Sequence, residues 1–285
     1  MPKVNRIHPV EAETLSDAWL EAIRLILGTD RTRIDNLIVS IEHPSALTPG
    51  DHAVCNTVDS FLRSKDLLPL ITVANTILPG GYYRDGGAKA VYQDFPASYQ
   101  ASKSGWGTYA GRLFAEKVSS PKGDFIRMER IVEKLKKNFK AAVKMRASYE
   151  VDVYDSLSTQ ELSIYQPGYD SKQDIGQPCL THLSFKLNVR EETVSLTALY
   201  RSQYYIQKAL GNFIGLGQLL AFTAQEAGLG VGHLTCHATQ AELDLFAQKG
   251  KRRVTWSVKD ISDLAEQCTA TQEVSRRNSE ALLFV

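Results

Sequence analysis

Apolar residues at every second position make residues 183–200 the most regular stretch of this chain. Leu183, Phe185, Leu187 and Val189 alternate with His182, Ser184, Lys186 and Asn188, the period of a strand with one buried face. Arg190-Glu191-Glu192 interrupts the pattern, and Val194, Leu196, Ala198 and Tyr200 resume it. The pattern predicts a hairpin whose return strand delivers Arg201 opposite Pro178-Cys179. Helical spacing appears elsewhere. Trp19, Leu20, Ile23 and Leu27 share a face between a cap at Thr14 or Ser16 and a stop at Gly28. Leu37–Ile41 reads as a strand, about 57–64 as a helix, and 67–78 as an apolar run. Pro79 to Lys89, with four glycines, reads as a loop. A helix is expected near 126–138, a strand over about 141–154, an irregular segment over 155–176, and a buried helix over about 206–227. After 251 the signals are short.

Composition narrows the class. The chain has 285 residues, 43% of them hydrophobic, enough for a sizeable core. The pattern favours α+β architecture in one domain, 1–285, since no repeat or Pro/Ser-rich linker divides it. A net charge of +1 gives no basis for bulk nucleic-acid or membrane attachment. The apolar helix near 206–227 contains Gln218, Gln225 and Glu226 and reads as core, not as a membrane span. Cys55, Cys179, Cys236 and Cys268 are widely spaced without a CxxC pair, as in reduced cytoplasmic proteins. Met1–Arg6 lacks the apolar stretch of a secretory signal.

The candidate chemistry centres on Cys179 and Arg201. A guanidinium beside a cysteine favours the thiolate, the form that attacks carbon. A lone cysteine is also commonly a small buried hydrophobe, and the odd-numbered register puts Cys179 with the apolar set. Gln177-Pro178-Cys179, Leu199-Tyr200-Arg201-Ser202, Asn212 and the helix end at Gly228-Leu229-Gly230-Val231-Gly232 together resemble thymidylate synthase and the pyrimidine nucleotide hydroxymethylases. Asp30-Arg31-Thr32 is similar to that family's phosphate loop, and Ser104–Gly111 to its central Gly-Pro-Val-Tyr-Gly segment. The resemblance covers about 15–245 and leaves 246–285 divergent. It implies a large twisted mixed sheet flanked by helices, and a homodimer formed by stacked sheets. It also implies transfer of a methyl or hydroxymethyl group to carbon 5 of a pyrimidine nucleotide monophosphate. In that chemistry Cys179 is the nucleophile and Arg201 its partner. Arg31, Arg201 and Ser202 contact phosphate, and the amide of Asn212 reads a uracil edge. A reduced folate, methylenetetrahydrofolate, is the implied one-carbon donor. Arg31 reads alternatively as a solvated charge, and Asn212 as a helix N-cap.

Departures from the family pattern bear on each role. The folate-reading aspartate falls on Tyr204. The motif that holds the sugar aligns with Gln240-Ala241-Glu242-Leu243-Asp244, making Glu242 and Asp244 further candidates. The general-base glutamate should lie near Val73-Ala74-Asn75, and no carboxylate occurs from Leu67 to Tyr83. The partner subunit's paired arginines have no counterpart in 139–146, where Lys140, Lys144 and Arg146 are the available cations. These gaps sustain a second reading, a nucleotide-binding sensor or partner subunit without transfer chemistry. Tyr82, Tyr83, Trp106 and Tyr109 offer rings for stacking or for packing. His233, Cys236 and His237 do not share one strand face, so no metal site is expected there.

Overall fold

The computed structural model describes residues 7–29, 31–99, 107–118, 123–140, 161–164 and 178–282. Two compact units interleave along the chain. The first takes 1–74, 201–214 and 235–285, and the second takes 75–200 and 215–234. The elements are helical and extended in a mixed α+β arrangement, and no described helix is long and apolar enough to cross a membrane.

In the first unit, β1 (His8–Ala12) runs parallel to β2 (Arg33–Ile41). Between them lies α1 (Leu15–Leu27), capped by Thr14, whose hydroxyl accepts the Asp17 N–H at 3.3 Å. Its inner face carries Trp19, Ile23 and Ile26. The helix expected at 57–64 starts earlier, as α2 (Pro49–Ser64). Thr48 and Asp51 form a reciprocal capping box, and Pro49 stands in the first turn, where its missing N–H costs nothing. α3 (Leu70–Asn75) follows. The short C-terminal elements expected after 251 are instead a hairpin, β10 (Phe246–Lys249) and β11 (Arg252–Thr255), and α8 (Val258–Leu282), 25 residues long. Ile261, Leu264, Ala265 and Cys268 of α8 are buried, at the spacing of one helical face, with α2 and α1 as packing partners.

These helices share a buried polar knot. One Asp51 oxygen accepts the Ser16 N–H and hydroxyl at 3.1 and 2.5 Å, and the other accepts the Thr48 N–H and hydroxyl at 2.8 and 2.6 Å. Burial pushes the Asp51 carboxyl up, but the hydrogen bonds from Ser16, Thr48 and Thr14 outweigh it and hold the group below its ordinary range. Gln272 of α8 donates to Ser16 Oγ at 2.9 Å.

The second unit contains α4 (Gly80–Lys89), α5 (Phe95–Ser98), the short pair β3 (Lys117–Val118) and β4 (Phe125–Ile126), and α6 (Arg127–Lys140). The loop expected over Pro79–Lys89 is therefore helical, kinked where Gly87 takes φ 64°. Packing explains why four glycines do not abolish it. Tyr83 meets the Phe222 ring edge-on at 4.9 Å and Tyr82 meets Phe95 at 5.6 Å. β5 (Glu161–Ser163), β6 (Leu180–Asn188) and β7 (Thr193–Tyr200) pair antiparallel, the last two as the expected hairpin. The strand expected over 141–154 lies outside the described residues.

A long strand and the long apolar helix that precedes it each contain residues of both units. β8 (Gln203–Tyr204) in the first unit pairs parallel with β9 (Gly230–Glu242). β9 neighbours β2 in the first unit and β7 in the second, so the sheet is mixed. α7 (Leu210–Ala227), entered through a π-helical turn at Tyr205–Ala209, fulfils the buried helix expected near 206–227. Gly232 of β9 is needed for close approach, since a Cβ there would lie 2.4 Å from Ser195 Oγ.

Candidate functional site

Cys179 stands at a bend just before β6, and a break in strand pairing sets its surroundings. Leu180 pairs with Tyr200 but His182 pairs with Leu199, leaving Thr181 as the extra residue of a β-bulge. The bulge changes the strand's parity, so Leu180 and Leu183, three apart, are both buried. Counting back in twos from Leu183 puts Cys179 on the apolar face, and the bulge corrects that count. Cys179 falls in the opposite set, together with His182, and is half-buried. His182 is therefore not across the strand from it, as unbroken alternation would have it. None of the four cysteines is in a disulfide. Burial pushes the Cys55 and Cys268 thiols up to about 12 and raises Cys236 as well, which keeps all three protonated.

Tyr109 holds the bend. Its phenol oxygen accepts the N–H of Cys179 and that of Leu180, each at 3.2 Å. The ring is buried, and its hydroxyl makes the clamp. Tyr109 is itself fixed from both sides. The Ala110 N–H donates to the Thr76 carbonyl at 2.7 Å, and the Thr108 N–H to the Tyr99 hydroxyl at 3.1 Å. Tyr99 occupies the space a side chain at 111 would need, since a Cβ on Gly111 would meet its ring at 2.2 Å. Asn75, beside Thr76 at the end of α3, is exposed. Within the second unit the Tyr109 hydroxyl thus ties the Cys179 bend to a segment that a main-chain bond joins to Thr76, the neighbour of Asn75.

The remaining candidates belong to the first unit, so Cys179 and Arg201 are in different units. Leu180–Tyr200 is the last register pair before the chain reaches Arg201. Arg201 is exposed, and its carbonyl accepts the Thr239 hydroxyl at 2.8 Å. Arg31 is exposed, and Ser202 half-buried; neither side chain has a hydrogen-bonded or ionic partner among the described residues. Asp30 and Trp106 lie outside those residues, as do Lys144 and Arg146, whereas Lys140 ends α6 exposed. Asn212 is the third residue of α7, which removes the N-cap explanation. It is 5% exposed, and its amide has no hydrogen-bond partner among the described residues. A buried amide with unmade bonds is one that a ligand can satisfy.

Tyr204 is 44% exposed. Glu242 pairs with Arg33 at 3.1 Å. Asp244, 2% exposed, accepts the Ile206 N–H at 2.9 Å and the Gln207 amide at 2.7 Å. Burial pushes its carboxyl up to about 6. Both carboxylates are engaged by their own unit.

Sequence reasoning passed over Gln203, Gln207 and Arg112. Both amide atoms of buried Gln203 are without a hydrogen bond among the described residues. Arg112, also buried, donates to the Ile164 carbonyl at 2.7 Å. No spacing rule flags an isolated glutamine or arginine. On β9 Cys236 is buried, while His233 approaches Ser195 Oγ at 3.1 Å and His237 approaches Asn36 at 3.2 Å. Among the described residues no group of three His, Cys, Asp or Glu could hold a metal ion.

No protein-family model matches the chain. Two curated proteins are similar to it. One, named "Putative thymidylate synthase", from Methanothermobacter marburgensis, is 26% identical over 238 residues, which is 83% of this chain and 92% of that protein. Another of the same name, from Methanococcoides burtonii, is 26% identical over 246 residues, 82% of this chain and 88% of that protein.

Proposed function

We infer that this chain, a divergent thymidylate-synthase-like protein, binds a uracil-type nucleotide and adds a methyl or hydroxymethyl group to its carbon 5 through a covalent Cys179 adduct. The observation that carries the reading is the Cys179 bend, where a half-buried thiol outside the apolar face has its backbone held by Tyr109. In this reading the Cys179 thiolate bonds to carbon 6, and the ring's C5=C6 electron pair shifts to oxygen 4 as an enolate. Carbon 5 then bonds to the one-carbon group as that group's bond to its donor breaks, the electron pair leaving with the donor. A donor delivering a methylene-level carbon must also supply a hydride to give methyl, or water must add to give hydroxymethyl. Loss of the carbon 5 proton to a base re-forms the double bond and expels the sulfur. Asn212 pairs with N3–H and oxygen 4, steadying the enolate. Arg31, Arg201 and Ser202 anchor the phosphate through charge-assisted bonds.

In thymidylate synthases a reduced folate supplies the one-carbon unit. Here Tyr204 stands at the folate-reading position, exposed and without a carboxylate, so a folate fits poorly at that residue and enters as an assay variable. The second reading, a nucleotide sensor, is favoured by one observation. Exposed Asn75 marks the region where a base is expected, and no carboxylate occurs from Leu67 to Tyr83.

Incubation with 5-fluoro-dUMP or 5-fluoro-UMP, with and without folate, followed by intact mass measurement separates the two. The transfer reading expects a stable adduct that disappears in Cys179→Ala. Reversible binding without an adduct supports the sensor, and an adduct that persists in Cys179→Ala overturns the assigned nucleophile.

A further inference from the structure

Four residues, the last two of β9 and the two that follow it, reach both segments that carry the candidate phosphate contacts. Through β8, Ala241 pairs with Gln203 and Glu242 with Tyr204, immediately after Arg201-Ser202. The Leu243 N–H donates to the Thr32 carbonyl at 2.7 Å, immediately after Arg31. Glu242 holds Arg33 at 3.1 Å, two residues from Arg31. Asp244 closes the arrangement by accepting from the Ile206 N–H and the Gln207 side chain, and the same Gln207 amide donates to the Phe246 carbonyl at 3.0 Å. All of these residues belong to the first unit.

We propose that Ala241–Asp244 is a staple fixing the Arg31 loop relative to Arg201-Ser202, with Asp244 and Glu242 as positioning residues for the phosphate of a bound nucleotide. The proposal rests on the nucleotide reading above and assigns these carboxylates a task other than touching the ligand. Asp244 is too enclosed for contact, and Glu242 is spent on a cation. A flexible arginine loses rotamer and loop entropy when it binds, so holding its backbone beforehand strengthens phosphate capture without adding any contact. The Arg31 and Ser202 side chains stay uncommitted among the described residues while the residues that follow each of them are tied to Ala241, Glu242 and Leu243, as a preorganised anion site requires.

Asp244→Asn is the informative variant. Asn can still accept the Ile206 N–H, but its amide donor then faces the Gln207 donor. Flipping Gln207 would turn its oxygen against the Phe246 carbonyl. The staple is loosened while the shape is kept. Calorimetric titration of the full chain would compare dUMP with deoxyuridine, using inorganic phosphate as competitor. The expected result is a loss of about tenfold or more in dUMP affinity, with deoxyuridine changed by less than about twofold. A plain folding role would weaken both ligands alike, and that result, or unchanged dUMP binding, overturns the proposal. Should Asp244→Asn fail to fold, Gln207→Met removes the same side-chain bond from a half-buried position and is judged by the same comparison. If the unaltered chain binds dUMP no better than deoxyuridine, the nucleotide reading itself falls and takes the staple with it.

Discussion

Replacing Tyr109 by Phe removes a single oxygen, and the structure allows its cost to be worked out. Each of the two bonds it accepts is long, 3.2 Å, and worth only about 1 kcal/mol net. The larger cost is what the deletion strands. Leu180 has no exposure, so its N–H would be left dry at about 1–3 kcal/mol. Cys179 is half-buried, so its N–H can turn to water at little cost. Together these give a loss of roughly 2–4 kcal/mol, which for a chain of this size lowers Tm by roughly 4–10 °C. The bend carrying the thiol also loosens, and a displacement on the order of 1 Å at a nucleophile can cost about 100-fold in rate. Thermal denaturation and the rate of 5-fluoro-dUMP adduct formation read the two effects separately. Tyr92→Phe is the matched control in the same unit, because the Tyr92 hydroxyl is buried with no hydrogen-bond partner among the described residues, and its removal should be neutral or stabilising. Equal losses in both variants would mean that aromatic packing, not the clamp, is being measured. Wild-type stability and adduct rate in Tyr109→Phe would refute the clamp altogether.

Two further outcomes follow from the first unit. Asp244 titrates near 6 when folded, against 3.8 as its ordinary value, because burial disfavours its charge. The stability this contributes is complete below about pH 3.8 and lost as the pH rises through about 6, a decline on the order of 3 kcal/mol. Denaturant unfolding from pH 4 to 7 should show that decline in the native chain and a flatter profile in Asp244→Asn. Gly211→Ala would put a methyl 2.6 Å from the Val73 Cβ and 3.0 Å from the Leu70 carbonyl. It should destabilise by about 1–3 kcal/mol in the same assay, despite alanine's better helix propensity.

The legible parts of this fold are those governed by neighbours in the chain. Alternation located the β6–β7 hairpin, and the apolar run located α7, because the buried faces repeat without interruption. The start of α2 was also written locally, in Thr48-Pro49-Gly50-Asp51, and was missed because hydrophobic spacing alone begins later. Thr181 shows the harder limit. A threonine in a strand gives no sign that it is the extra residue of a bulge, yet that one insertion decides which side of the strand Cys179 joins. The Tyr109 clamp acts across 70 residues of sequence, and the Asp244 contacts depend on which backbone N–H groups a fold happens to leave unpaired. Asn212 was readable as a motif residue, but its unspent amide could be recognised only from its partners.

The Gln272–Ser16 bond sets an order of events during synthesis. A nascent chain exposes Ser16 and Asp51 well before Gln272 and Arg276, which reach Ser16 and Asp17, since Gln272 follows Ser16 by 256 residues. Until then the apolar sides of α1 and α2 lack the helix that packs against them. Closure must span more than 250 residues of intervening chain, a separation that slows folding. The vulnerable interval for these two helices therefore lasts until α8 is translated, when a holdase that covers α1 and α2 would matter most.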